Sequence, residues 1–461
     1  MMPIRFSTIS SMLTICTLCA LTLSVSERLP AQLFDRATVL EGVYLPLPDG
    51  GVSEPLTIVI RRGRITEIGP DADIPLLSKK IEVKGLFATA GLMDPSSNLT
   101  LGSVGNGNAV HSAWDGFDRY DSDSIRAAIA SGVTKIQLQP SGPGGIVGKV
   151  SSITLSPRKD GGHGILEEEA VALCIDLDQG GPLDRIRIFD KVRAAFVSAQ
   201  SRLDDQDEYS SDLEEYIKAL AEAAEKKAKE EGAKEKDKTD EKDKTDEKDK
   251  TDGKDKADEE DGPKKPSRLD RDPGKDVLLQ VLEHKLPVRI VARRSEDILN
   301  AIELAQEFEF VFQLQGADEA HLVMDTLEGV EGLSILLDVP QRSLARGSAP
   351  RRSPGLIALL EEAKIPWSVG SGGESTSFWR AVRTISGQAG IASPLKIAIS
   401  GAQQPAGRGR GRASGWLRRG ASELVLWQGN PATDAAARPD RVIIDGTVVW
   451  QRPAGTREGS F

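Results

Sequence analysis

Apolar and polar positions change rhythm along this chain, and the rhythm predicts its elements. Thr57-Ile58-Val59-Ile60 and Ile65-Thr66-Glu67-Ile68-Gly69 flank Arg61-Arg62-Gly63-Arg64, the pattern of a β-hairpin with a tight turn. Ile81 to Gly85 adds a short strand. A second apolar run then enters Gly91-Leu92-Met93-Asp94 and stops at the small polar cluster Pro95-Ser96-Ser97-Asn98. Beyond it the spacing alternates. Helices are predicted over Ser122 to Ser131, 184–200, Asp276 to His284, Ser295 to Phe308, Asp318 to Leu327, Gly355 to Ala363 and Phe378 to Gly387. Strands are predicted over Val133 to Leu138, Lys149 to Leu155, Ala170 to Leu177, Leu286 to Ala292, Glu309 to Leu314, Leu333 to Val339 and Pro366 to Gly370. Strand–helix alternation of this length predicts an α/β chain built on a parallel (β/α) barrel.

Composition interrupts the pattern twice. Residues 1–26 start with Arg5, continue as an apolar or small run and end at Ser24-Val25-Ser26, which reads as a secretory signal peptide; a retained anchor is the other reading. Export to the periplasm or the extracellular space is the expectation, with no stable membrane span after cleavage. Cys16 and Cys19 would leave with the signal, and the remaining Cys174 reads as a buried apolar filler. Residues 202–266 are charged, and from Lys236 a Lys-Asp-Lys-Thr-Asp-Glu hexad repeats. Such a tract buries too little apolar area to offset its ordering entropy, so a largely disordered insertion is expected, with Ser211 to Gly232 capable of a solvated helix through Glu–Lys pairs at i,i+4.

Charge and chemistry narrow the function. A net charge of −11 argues against nucleic acid as a main partner. The basic run Gly407 to Arg412 then reads as a flexible loop rather than an RNA tract. Gly142 to Gly148 lacks the Gly-Lys-Ser/Thr ending and the following helix of a phosphate loop, so it reads as a connection. Ser371 has no nucleophile elbow and no assignable His base. Only four histidines occur, His111, His163, His284 and His321, too few for a His-rich metal centre.

The hairpin, the join Val83-Lys84-Gly85 to Gly91-Leu92-Met93-Asp94, the step Ser131-Gly132-Val133-Thr134 and the closing Leu424 to Pro431 and Arg441 to Trp450 resemble the amidohydrolase superfamily, in particular its imidazolonepropionase-like metal-dependent hydrolases. The resemblance implies a TIM-like (β/α)8 barrel over 91–201 and 267–420. It also implies a small composite β-sandwich over 37–90 and 421–453. It implies hydrolysis of carbon–nitrogen bonds by a metal-bound water. The positions that hold metal or act on it in that family fall here on Ser96, Asn98, Val291, Arg293, Gln315 and Gly372. Val and Gly carry no ligand atom, Arg is a fixed cation, and Ser, Asn and Gln are neutral donors. No metal or other cofactor is therefore expected, and the chain reads as a pseudoenzyme that binds a small molecule or a protein. The alternative is an active hydrolase holding zinc in a rebuilt site, for which His111, His163, Asp338 and Glu374 are the candidates. Arg293 and Arg294 have two readings, an anion site or pairing with Glu296, Asp297 or another carboxylate. A third reading makes the charged insertion the working part.

Overall fold

The computed structural model describes residues 36–47, 50–102, 106–236, 264–267, 270–339, 352–391, 393–400 and 416–453. The expected signal peptide, the hexad repeats from 237 and the run Gly407 to Arg412 lie outside them.

Two four-stranded sheets form the sandwich. One holds β1 (Ala37–Val43), β2 (Leu56–Arg61), β3 (Arg64–Gly69) and β4 (Ser78–Glu82) in the order β3-β2-β1-β4. The other joins β5 (Phe87–Ala90) to β14 (Glu423–Gln428), β15 (Arg438–Ile444) and β16 (Thr447–Gln451). Ala90 faces Leu424, so the two chain ends meet in one sheet. Leu40, Ile58, Ile60, Leu424, Leu426 and Ile443 share one core, which makes the sandwich composite. Its two tight turns touch: Gly63 and Gly446 both have positive φ, and a Cβ on Gly63 would stand 3.0 Å from the backbone of Asp445.

Between the two halves runs an eight-stranded sheet in the order β13-β12-β11-β10-β9-β8-β7-β6. Its strands are β6 (Leu92–Ser97), β7 (Val133–Leu138), β8 (Gly145–Pro157), β9 (His163–Asp176), β10 (Val288–Ala292), β11 (Phe312–Gly316), β12 (Ser334–Asp338) and β13 (Trp367–Gly370). A bridge between Ser97 and Gly373 brings β6 back to β13 and closes the barrel. The helices are α1 (Ser122–Ala130), α2 (Pro182–Lys236), α3 (Pro273–Leu282), α4 (Ser295–Glu307), α5 (Met324–Leu327), α6 (Leu356–Glu362), α7 (Phe378–Gln388) and α8 (Pro394–Ser400). Asp121 caps α1 through the Ser124 amide, and Asp272 caps α3 with Pro273 in its first turn.

Three features differ from the sequence-based expectation. First, β8 runs antiparallel to both β7 and β9. The stretches Gln139 to Gly144 and Arg158 to Gly162 are too short for a helical crossover, so each strand turns straight back. Second, the helix expected at Asp318 to Leu327 is a 3-10 turn at Ala320–Leu322 followed by the single turn of α5. Third, the change of composition at 202 does not interrupt the backbone: α2 continues from Pro182 to Lys236, and the described part of 202–266 is helical up to that residue. Among the described residues no helix is long and apolar enough to cross a membrane.

Candidate functional site

In a barrel of this kind the C-terminal ends of the parallel strands form the mouth, where side chains from many strands converge. Strand parity sends Asp94 and Ser96, Arg289 and Val291, Gln313 and Gln315, and Leu336 and Asp338 inward.

Deepest is Arg289, with 0% of its surface exposed. Its Nε donates to Gln313 Oε1 at 3.0 Å, Nη1 to Pro95 O at 2.7 Å and Gln139 Oε1 at 3.1 Å, and Nη2 to Gln137 Oε1 at 2.5 Å. All four acceptors are neutral. Burial consequently pulls the guanidinium down to about 10, against weak support from Cys174 and Asp94.

Where the first strand meets the last, polar groups are consumed by the closure. Asp94 accepts from the backbone amides of Ser371 (3.0 Å) and Ser96 (3.2 Å) and from Ser375 Oγ (2.7 Å). Its carboxyl is nevertheless raised, because burial outweighs those bonds. Ser96 Oγ accepts from the Gly372 amide at 2.9 Å, and a Cβ on Gly370 would stand 2.1 Å from the same oxygen. Asn98 faces Gly373, whose added Cβ would lie 3.0 Å from its amide nitrogen. Gly372 has φ +72, with Val339 O and the Asp338 side chain within 3.5 Å of an added Cβ. Serine and glycine fit here for a steric reason: a larger side chain at 96 or 370 would push β6 and β13 apart, and one at 372 would press on Val339 and Asp338.

The rest of the mouth is an ion-pair network around Arg293. Its Nη1 lies 2.7 Å from Asp338 Oδ1 and 3.1 Å from Asp318 Oδ2, its Nη2 donates to Asp338 Oδ2 at 2.9 Å, and its Nε lies 3.4 Å from Asp178 Oδ2. Arg294 pairs with Asp178 at 2.7 Å, and Arg352 pairs with Asp318 and donates to Asp338 O at 2.7 Å. Gln315 Nε2 donates to Asp338 Oδ2 at 3.3 Å. The shifts rank the partners. Burial would raise Asp338, but Arg293, Arg352 and Gln315 hold it below the usual range, whereas Asp318 and Asp178 stay raised by burial. Arg293 meets both oxygens of Asp338, whereas at Asp318 and Asp178 the cations, Arg352 and Arg294 included, do not offset the cost of burial. Burial pulls Arg293 itself down, yet Asp338 and Asp318 hold it above its ordinary value.

The pairing reading of Arg293 and Arg294 is therefore the one the geometry supports, although the partners are Asp178, Asp318 and Asp338 rather than Glu296 or Asp297. Asp297 instead pairs with Arg185 at 3.1 Å. The four rebuilt-site candidates do not converge. Asp338 is in the mouth and fully buried, but Glu374 is exposed. His111 is exposed on the loop bridged to β8 at Lys149. His163 begins β9, whose other end, Asp176, reaches the mouth; that separation is about 40 Å at ~3.3 Å per residue. Among the described residues no three His, Cys, Asp or Glu side chains are grouped to hold a metal ion. The catalytic metal that the resemblance implies does not fit this mouth, since a fixed cation already sits between Asp178, Asp318 and Asp338, and the family's other ligand positions, Ser96, Asn98, Val291, Gln315 and Gly372, carry neutral groups or none.

Sequence reading missed Asp176, Asp178, Asp318 and Arg289 as members of this interior. Asp176 accepts from Gln179 Nε2 at 2.7 Å and the Asp178 amide at 3.0 Å, yet burial raises it to about 6. A carboxyl raised above its unfolded value subtracts stability above about pH 6 and ceases to do so as pH falls toward 4. Asp176→Asn is accordingly expected to stabilise the fold at pH 7.5 by about 2 kcal/mol, with the gain gone at pH 4. Urea midpoints at both pH values check this, and an equal gain at both would refute the electrostatic cause.

Comparison with known proteins returns no matching family model and no match among curated proteins. Solved structures do match. An amidohydrolase from Thermotoga maritima covers 90% of this chain and 100% of its own length at 17% identity, with a TM-score of 0.62. N-isopropylammelide isopropylaminohydrolase from Burkholderia multivorans matches at 14% identity over 90% of this chain and 98% of its own, with a TM-score of 0.42. A β-aspartyl dipeptidase from Fervidobacterium islandicum matches at 11% over 91% and 100%, with a TM-score of 0.43. The barrel, the composite sandwich and the first of these likenesses together establish that this chain has the amidohydrolase-superfamily fold.

Proposed function

We propose that this chain is a non-catalytic, amidohydrolase-like protein, exported to the periplasm or beyond the cell, that works by binding a small molecule or a protein. The observation that supports this reading is the place of Arg293: a guanidinium held by Asp338, Asp318 and Asp178 occupies the mouth where metal-dependent chemistry needs a dissociable, Lewis-acidic cation. Ser96 is packed against Gly370 with its Oγ engaged by the Gly372 amide, and Gly372 carries no ligand atom. Room for a small ligand exists at the opposite end of the barrel, where a cavity of about 390 Å³ is lined by Gln313, Ser334, Lys364, Trp367 and Ser368. Binding, unlike hydrolysis, requires no converging ionisable groups.

Elemental analysis of the purified chain is expected to find no stoichiometric zinc. Added zinc, manganese or nickel is expected to leave the unfolding midpoint unchanged. A site filled at a hundred times its dissociation constant would add about 2.7 kcal/mol, which is readily seen. About one metal per chain, or a stabilisation of that size, would overturn the proposal and favour the active-hydrolase alternative.

A further inference from the structure

Helix α2 leaves the barrel near Leu203, its last residue packed on the main core. The 33 residues to Lys236 extend about 50 Å at 1.5 Å per residue. This projecting part is not polar all round. Tyr209, Leu213, Tyr216, Ile217, Leu220 and Ala224 follow a 3–4 spacing and form one stripe. Asp204, Asp207, Glu208, Glu214, Glu215, Lys218, Glu222 and Glu225 lie on the other side at 100° per residue. Ile217 is 57% exposed and Leu220 43%, with Ala224 exposed and Tyr209, Leu213 and Tyr216 half-buried, so the described chain leaves the distal part of the stripe uncovered. An apolar stripe on a helix is stable when another element buries it. The chain that follows the helix is poorly suited to do so, since residues 237–262 contain no Val, Ile, Leu, Met or aromatic residue.

Charge selects the occupant and its direction. From Asp204 to Glu215 the helix carries seven acidic residues and no basic one, whereas Tyr216 to Lys226 carries two of each. A parallel pair would set seven negative charges beside seven. An antiparallel pair sets the acidic half of each helix beside the neutral half of the other, with Leu213 opposite Ala224 and Ile217 opposite Leu220. We propose that the projecting part of α2 is a self-association surface, on which a second copy of this chain docks through an antiparallel two-helix pair centred between Ile217 and Leu220. The buried stripe is short, so association in the micromolar range is expected.

Sedimentation equilibrium of the full chain is expected to show the mass doubling between about 1 and about 100 µM, the range that spans micromolar association. Ile217→Glu with Leu220→Glu, both at exposed positions, is expected to hold the chain monomeric while the far-UV helical signal and the barrel's unfolding midpoint stay as they were. Leu220→Lys provides the same reading with the opposite charge. In a chain with Cys16 and Cys19 replaced by serine, a mixture of Leu213→Cys and Ala224→Cys proteins is expected to form a disulfide-linked heterodimer, with little homodimer from either alone. A chain monomeric throughout would overturn the proposal, as would a dimer that survives the Ile217/Leu220 substitutions. Leu213→Cys cross-linking to itself would overturn the antiparallel arrangement, and hence the charge argument.

Discussion

Arg293→Met is expected to cost about 3–5 kcal/mol of stability at pH 7.5, the range found when one partner of a buried pair is removed and the other is left charged. The variant keeps the length of the side chain but strands Asp338, which is fully buried, and deprives Asp318 and Asp178 of a shared cation. The loss is itself pH-dependent. In the native chain Asp338 is held below its ordinary value, so it contributes stability at pH 7 that disappears only as pH falls through that lowered value. Without the guanidinium, burial raises the same carboxyl, and protonation then favours the fold. The difference between native and variant should shrink from pH 7.5 to pH 4.5. Urea titrations at the two pH values test this, and a loss below about 1 kcal/mol would mean that Arg294, Arg352 and Gln315 suffice for the carboxylates without Arg293.

The second large effect is expected inside the barrel. Arg289→Met removes a cation that satisfies Gln137, Gln139, Gln313 and the Pro95 carbonyl together. Each buried acceptor left unpaired costs about 1–3 kcal/mol, so a loss of about 3 kcal/mol or more is expected even though the charge is gone. Replacing Gln137 and Gln313 by leucine in the same chain should recover much of that loss, because an apolar core of similar volume needs no donors. Arg289→Lys should fall between, keeping the charge but not the planar fork that reaches four acceptors. If the triple variant is no more stable than Arg289→Met, the cost comes from packing volume and not from orphaned amides.

How much of this was legible beforehand differs by level. The hairpin at Arg62-Gly63 and the strand–helix alternation follow from local periodicity, and the composite sandwich from the family resemblance of the two chain ends. Ser96, Asn98, Val291, Arg293 and Gln315 could be placed because the stretches around Asp94, Leu286 and Phe312 resemble the family's ligand-bearing motifs. Their partners could not. Asp178, Asp318 and Asp338 come from three different strand ends, and nothing local announces that they share one guanidinium. Arg289 lies in a strand whose alternate face in a barrel points into the centre, where a polar residue is satisfied by glutamines on neighbouring strands. The antiparallel course of β8 had a visible signal, the short Gly-rich connection at Gln139 to Gly144, which leaves no length for a helix.

The pairing of β5 with β14 also dictates an order of events during synthesis. Phe87 to Ala90 emerges early from the ribosome, but its hydrogen-bonding partner is Leu424 to Trp427, near the other end of the chain. At about 5–20 residues per second that edge waits on the order of tens of seconds. Meanwhile the buried face of the first sheet, including Ile58 and Ile60, lacks Leu424, Leu426 and Ile443 to cover it. The sandwich is thus the last unit that can finish. A nascent chain truncated before Glu423 should expose an open strand edge and an uncovered apolar face, the combination that recruits chaperones and invites aggregation.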